Sequence, residues 1–424
     1  MIWSVILFLP LVLALVLFGV SFAKKGYKKG PWRALICLAV TVITAILSCL
    51  VAVKAAQALT ALITGSLTAT IPPSGVMAAI LVKVVAARVI QVLVALLVFG
   101  LAFCVLRPIL AGLSKLIKVP QWDEKEDEDS KPRLAGMGIR IVDGVLVALL
   151  VLLPLYGIIM VGAGPAALVL NGEVPVVDQA AEHPVRYVYQ YGPVAPVLNT
   201  LTRVTVNDTK VNLMEVSTSV GNMKEPVTQL LDAGGNPLVL FQALNNEVFH
   251  SGWCYHFTME LMSELEMALT DEAVAQQLGI KPEYIQFLRL NEEDFRKGIQ
   301  AIAEVADVIM KYNLQDSLLN PDMAMELPEG FLEELGTLMN SNETVLELKE
   351  TVIRNGLQTF MEMEGRENPA QEAEKIIKEH FGDGKVPEEL RQAEAESLLL
   401  ILRAKDLDAM KEAIRTNPLF ADAL

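Results

Sequence analysis

Between Ile2 and Ala23 the chain carries no charged residue, and a helix of that length rises about 33 Å, enough to cross a hydrocarbon core of roughly 30 Å. Nothing in the sequence constrains the fold more. In hydrocarbon the backbone N–H and C=O groups are satisfied only inside a helix or a closed barrel, so a run of this kind is expected to be a spanning helix. Ser21-Phe22-Ala23 loosely imitates a small-residue cleavage site. A secretory leader carries its basic residues before the apolar core, however, and here they follow it, so the run reads as an uncleaved anchor.

Three further uncharged runs have similar lengths: Ala34 to Val53, Val89 to Leu106 and Val145 to Val161. Pro154 lies inside the last, and membrane helices tolerate such a proline. The expected spans are therefore 2–23, 34–53, 89–106 and 145–161. Between the second and third, residues 54–87 hold two shorter apolar stretches around Ile71-Pro72-Pro73-Ser74-Gly75. These read as interfacial or re-entrant helices, although an additional span here would invert everything downstream.

Charge divides the chain as sharply as hydropathy does. The whole has a net charge of −15, 53% hydrophobic residues and a mean hydropathy of +0.41. Residues 1–168 contain 15 Lys/Arg against 7 Asp/Glu, whereas 169–424 contain 20 against 43. The first part is oily and basic, the second acidic and water-compatible, which excludes an ordinary soluble enzyme for at least the first part. A strongly acidic surface repels phosphate, so nucleic acid is not an expected partner.

Short loops rich in Lys and Arg stay on the cytoplasmic face. Lys24, Lys25, Lys28, Lys29 and Arg33 follow the first span. Lys115, Lys118, Lys125, Lys131, Arg133 and Arg140 lie between the third and fourth. Both loops are expected inside, with the C-terminal region outside. The mixed charge run 122–133 reads as a solvated cytoplasmic loop. Trp3, Tyr27 and Trp32 fall near expected boundaries, where amphipathic rings settle.

Three features then resemble the colicin V production (CvpA) family of bacterial inner-membrane proteins. They are Gly26-Tyr27-Lys28-Lys29-Gly30 after the first span, the third apolar segment leading to Arg107-Pro108, and Arg133-Leu134-Ala135-Gly136-Met137-Gly138 opening the fourth. The resemblance covers roughly residues 1–161. The acidic residue common early in that family's first span is absent here. The resemblance implies a bacterial membrane protein of toxin production or export and envelope maintenance, with no catalytic residues to carry over; the expected reading is non-enzymatic, with the lipid bilayer and a membrane or envelope protein as partners. Independently of any family, Gly136, Gly138 and Gly144 would let a neighbouring span approach closely. Arg140 and Asp143, three apart, could pair on one helix face. The span cores as drawn contain no carboxylate, His or Lys, which favours anchoring over ion conduction; a transport or channel component is the alternative.

The region 169–424 is expected to be a mainly helical extramembrane domain, so the fold class is all-α with one small β-hairpin. Thr202 to Val206 and Lys210 to Val216 around Asn207-Asp208-Thr209 form the expected hairpin. Phe295, Ile299, Ile302, Val305 and Ile309 recur at helical spacing after Asn291. Asn342 or Ser341 caps a helix bearing Val345, Leu348 and Val352; Asn368-Pro369 starts another, and Pro387-Glu388-Glu389-Leu390 a further one.

One cluster has metal-ligating chemistry: His250, Cys254, His256 and Glu260. Imidazole, thiolate and carboxylate all bind zinc, and His256 and Glu260 share a helix face. Their spacing fits no zinc motif, and Trp253, Tyr255 and Phe257 suit a packed helix entry, which is the preferred reading; a metal-dependent extracytoplasmic enzyme is the minor one. No HExxH, GxSxG, phosphate-loop or dinucleotide fingerprint occurs, so no enzyme activity and no cofactor is expected.

Overall fold

The computed structural model describes residues 2–71, 76–119, 131–170, 185–222, 248, 251–278, 290–314, 317–318, 326–363, 366–381 and 385–403. The chain divides into two compact units, Met1–Lys224 and Glu225–Leu424.

In the first unit, α1 runs Ile2–Thr70 and α2 Val76–Leu81. A π-helical turn, Val82–Ala86, leads into α3, Ala87–Leu113, and α4 spans Lys131–Leu170. Three helical stretches, Leu9–Thr70, Val76–Leu116 and Pro132–Gly162, are long and apolar enough to cross a membrane. Two of the four runs expected as separate spans thus share α1. That helix is interrupted at Gly30, whose φ of 72° is open to glycine and strained for other residues, with Pro31 beginning the second limb. Both limbs meet the same stretch of α4. A Cβ on Gly144 would lie 2.9 Å from the Phe18 carbonyl oxygen in the first limb. Thr41 in the second limb hydrogen-bonds Asp143.

Within residues 54–87 the described stretches are continuous with longer helices. The stretch before Ile71 continues the second limb of α1, and the stretch from Val76 flows into α3. Lys54 and Lys83 interrupt hydropathy without interrupting helix. Around the unit, Leu13, Val16, Leu17, Ile46, Leu50, Leu97 and Leu101 are among many exposed apolar side chains. A surface this apolar suits hydrocarbon better than water.

Among the described residues, three short helices and a hairpin follow α4. Helix α5 is Val185–Tyr191, α6 Ala195–Leu201 and α7 Leu213–Asn222. Strand β1 (Arg203–Val206) pairs antiparallel with β2 (Thr209–Asn212). Asn207 and Asp208 both take positive φ, as a two-residue hairpin turn requires. These residues lie beyond Leu168 yet belong to the first unit. The Tyr189 hydroxyl donates to Leu149 O (3.2 Å), its ring stacks on Tyr156 at 5.1 Å, and Ser217 Oγ donates to Met160 O (3.0 Å).

The regular structure described in the second unit is helical, and its α-helices include α8 Gly252–Leu269, α9 Glu272–Leu278, α10 Glu292–Lys311, α11 Phe331–Ser341, α12 Glu343–Met363, α13 Pro369–Ile376 and α14 Arg391–Leu402. Its main core joins Ile309, Phe331, Leu335, Met339, Val345 and Leu399. Asn291 caps α10 by accepting from Asp294 N (2.9 Å), and Asn342 caps α12 by accepting from Val345 N (3.1 Å). Asn368 makes no such side-chain bond, although Pro369 does open α13. The expected stripe on α10 is corrected at one position. Ile302 is exposed, while Ala301, Ala303 and Ala306 are buried, because small residues let neighbouring helices close on this face.

Candidate functional site

Among the described residues of the first unit, a buried polar cluster surrounds Asp143, whose side chain is 0% exposed. A carboxylate stripped of water in an apolar bundle needs a counter-charge and hydrogen bonds to stay ionised. Arg140 Nη1, one helical turn earlier, donates to Oδ2 at 2.7 Å. Thr41 Oγ1, from the second limb of α1, donates to Oδ1 at 2.6 Å. Arg107 on α3 brings Nη2 to 3.7 Å from Oδ2, an ion pair too long for a hydrogen bond. One carboxylate therefore ties α1, α3 and α4 together.

Phe22, on the first limb, sits at the centre of the cations. Arg107 Cζ lies 5.2 Å from its ring centroid, Arg140 Cζ 5.6 Å and Lys25 Nζ 5.7 Å. An aromatic ring attracts cations through its quadrupole without neutralising them. Arg140 is nearly buried and Arg107 half-buried, whereas Lys25 is exposed. The Nε atoms of Arg107 and Arg140 are buried and have no hydrogen-bond partner among the described residues.

Backbone proximity makes the cluster possible. A Cβ on Gly26 would collide with the Gly136 carbonyl oxygen and with Arg140, and one on Gly136 would lie 2.8 Å from Gly30 C and 2.9 Å from Gly26 O. Gly26, Gly30 and Gly136 thus form one close crossing of α1 and α4. Gly138 does not share this role, since a Cβ there would meet nothing within 4 Å; the helix turns it away from the crossing that Gly136 and Gly144 make. Pro108 follows Arg107 within α3. Arg33 Nη1 donates to Ser114 O (2.8 Å), fastening the end of α3 beside the Gly30 turn.

The Arg140–Asp143 pair is the part of this site legible from spacing. Thr41 and Phe22 are not, because each meets α4 from more than a hundred residues away in an uncharged run. The helix bounds also change the charge inventory: the stretch Pro132–Gly162 includes Arg133, Arg140 and Asp143, so the uncharged run from Val145 is only part of the apolar helix.

The metal-ligating cluster comes out differently. His250 lies outside the described residues, as do His183 and the acidic run 122–130. Cys254 is buried at the start of α8 with Met259, Phe295 and Ile299, and burial pushes its thiol up to about 11, against a lesser lowering by the Thr258 hydroxyl. A thiol so disposed is protonated at neutral pH and a poor metal ligand. Tyr255 packs edge-on against His256 and its hydroxyl donates to Leu290 O (3.1 Å). Among the described residues no group of three His, Cys, Asp or Glu side chains could hold a metal ion.

A second buried polar network holds the other unit together. Glu394, 0% exposed, accepts from Lys349 Nζ (2.9 Å) and Asn340 Nδ2 (2.7 Å). Asn340 Nδ2 also reaches Gly336 O (2.8 Å), and its Oδ1 accepts from Val386 N (2.8 Å). Every member is satisfied within the fold, the pattern of a structural lock.

No family model matches this chain, and no curated protein or solved structure matches it either.

Proposed function

We propose that the chain is a non-enzymatic, multi-pass protein of the bacterial cytoplasmic membrane, in which a four-span module anchors an acidic helical domain that works through protein contacts. The resemblance of Gly26 to Gly30, Arg107-Pro108 and Arg133 to Gly138 to the colicin V production family gives the biological direction: toxin production or export, or envelope maintenance. The observation that carries the reading is the fully buried, fully paired Asp143 carboxylate. Asp143 has its ionic and hydrogen-bonding needs met by Arg140 and Thr41 from two helices. A carboxylate held in this way fastens helices together, whereas proton transfer or conduction through it calls for a carboxylate left open to its substrate.

Geometry supports an orientation. The Gly30 turn, Ser114 and Gly136 meet at one end of the first unit, and Lys24, Lys25, Lys28, Lys29, Arg33, Lys115 and Lys118 crowd near them in the sequence. The bias of Lys and Arg makes that end cytoplasmic. From Gly136 to Tyr156 α4 rises about 30 Å, one hydrocarbon thickness. Exposed Tyr27 and Trp32 then mark one interface, and exposed Tyr187 and Tyr191, beside the inward Tyr189, mark the other. On this reading the halves of α1 are two spans and the second unit is extracytoplasmic.

A protease test on cells carrying a tag after Leu424 decides the topology. The tag is expected to vanish from intact cells while a cytoplasmic control survives, and the chain to stay with membranes through alkaline carbonate. A tag digested only after cells are opened refutes the orientation. One observation favours a second reading, a transport component: charged Arg107, Arg140 and Asp143 lie inside apolar helices. Solute flux in vesicles reconstituted with the purified chain, abolished by Asp143→Asn, would replace scaffolding with transport.

A further inference from the structure

We infer that the cations around Phe22 form a binding site for a phosphate-bearing anion, supplied by the headgroup of an anionic lipid at the cytoplasmic face. The inference rests on the membrane reading above. Three cations, Lys25, Arg107 and Arg140, lie within 6 Å of one ring centroid. Among the described residues, Asp143 is the one carboxylate paired with them, and Arg140 and Thr41 hold it most closely. Counted over the described residues, the cluster carries excess positive charge in a poorly hydrated setting, where like charges repel strongly.

Hydrogen bonding points the same way. A guanidinium has five N–H donors and tends to use them when buried. Among the described residues, the ionic partner of Arg107 is Asp143 at long range, and its Nε is buried without a hydrogen-bond partner; the Nε of nearly buried Arg140 is likewise unpartnered. Phosphate offers several acceptor oxygens with a geometry matched to the guanidinium fork. Access exists as well, because Arg107 is 21% exposed and Lys25 opens to the surface. The cluster lies near the Gly26 to Gly136 crossing, close to the depth at which headgroup phosphates sit. Basic pockets between spans on the cytoplasmic side are a known mode of anionic-lipid recognition. Arg140 and Asp143 shape the site, while Arg107 and Lys25 reach the phosphate.

The test uses the full chain in neutral detergent, read by native mass spectrometry and thermal unfolding with added phosphatidylglycerol, phosphatidylcholine or inorganic phosphate. Phosphatidylglycerol is expected to be retained and to raise the Tm, with phosphatidylcholine inert. Arg107→Gln and Lys25→Gln should each weaken retention by about fivefold, the effect of one basic residue at a lipid surface. Lys54→Gln, far from the cluster, should bind like wild type. Lys25 is exposed, so its variant is expected to fold even if the Arg107 variant does not. Equal retention of both lipids, or undiminished retention by Lys25→Gln, overturns the site. Protection by inorganic phosphate equal to that by phosphatidylglycerol, lost in both variants, keeps the phosphate site and overturns its lipid source. The membrane reading fails separately, through release of the chain by carbonate, which no binding result can mimic.

Discussion

Replacing Asp143 with alanine strands two guanidinium groups inside an apolar bundle. The carboxylate is fully buried, receives Arg140 at 2.7 Å and Thr41 at 2.6 Å, and stands 3.7 Å from Arg107. Deleting one partner of a buried ion pair destabilises by about 3–5 kcal/mol, mainly because the surviving charge is left uncompensated. The Thr41 hydrogen bond is the smaller contribution; polar contacts between membrane helices are worth about 0.6–1.7 kcal/mol, so Thr41→Val should lose about 1 kcal/mol. The origin of the larger loss has a signature. If it comes from the stranded charge, Asp143→Leu combined with Arg140→Met should recover most of it, since an ion pair exchanged for apolar residues of similar volume is often neutral. The double-mutant cycle should then return a coupling of about 2–3 kcal/mol. Sodium dodecyl sulfate titrated into non-ionic micelles without added lipid unfolds wild type, the two single variants and the double variant of that cycle, and Asp143→Ala and Thr41→Val alongside them. An Asp143→Ala loss below about 1 kcal/mol, or a double variant as unstable as the sum of the singles, refutes the cluster as a clasp.

Three further perturbations test separate parts of the fold. Gly136→Ala pushes a methyl into the Gly30 and Gly26 backbone and should destabilise by about 1–3 kcal/mol in the same titration. Gly138→Ala, with open space around it, should be neutral or stabilise by up to about 1 kcal/mol through helix propensity. Glu394→Leu removes the buried carboxylate that Lys349 Nζ and Asn340 Nδ2 share, and faster hydrogen exchange in α11 and α14 should report the opening. Burial holds the Cys254 thiol at about 11, above an unfolded value of 9.0. Its stabilising contribution is therefore complete below pH 9 and is lost as pH rises from about 9 to 11, because the unfolded chain releases its proton first. In a variant keeping Cys254 alone, alkylation at pH 8 should be roughly a hundredfold slower than for an unburied thiol, from the thiolate fraction alone.

Local physics made much of this architecture readable from sequence. The three-residue spacing of Arg140 and Asp143 sets their pairing, because a helix brings such residues together wherever it forms. The caps at Asn291 and Asn342 and the turn at Asn207-Asp208 are local devices of the same kind. Thr41 was invisible because threonine in an apolar run has a local alternative, bonding its own preceding turn. It does also bond Cys37 O at 3.1 Å, and nothing in its neighbours announces a carboxylate on α4. Ile302 misled for a related reason: hydropathy places the largest apolar residue inward, whereas the closest helix approach favours Ala301 and Ala306.

The region 54–87 shows where hydropathy and helix formation part company. Lys54 ends an uncharged run, so it reads as the edge of a spanning segment, yet lysine is a good helix former and the second limb of α1 runs through it. The helix stops only at Thr70, ahead of Ile71-Pro72-Pro73, where ring sterics disfavour helix in the preceding residue. From Arg33 to Thr70 that limb rises about 55 Å, nearly twice a hydrocarbon thickness. Its last turns satisfy their own hydroxyls: Thr64 Oγ1 donates to Thr60 O, Ser66 Oγ to Leu62 O and Thr68 Oγ1 to Thr64 O. Internally bonded hydroxyls leave an apolar exterior at Leu59, Leu62 and Leu67, so the polar residues here do not make the surface polar. A charge can therefore end a run suited to insertion without ending the helix that carries it. Here the helix ends ahead of the two prolines.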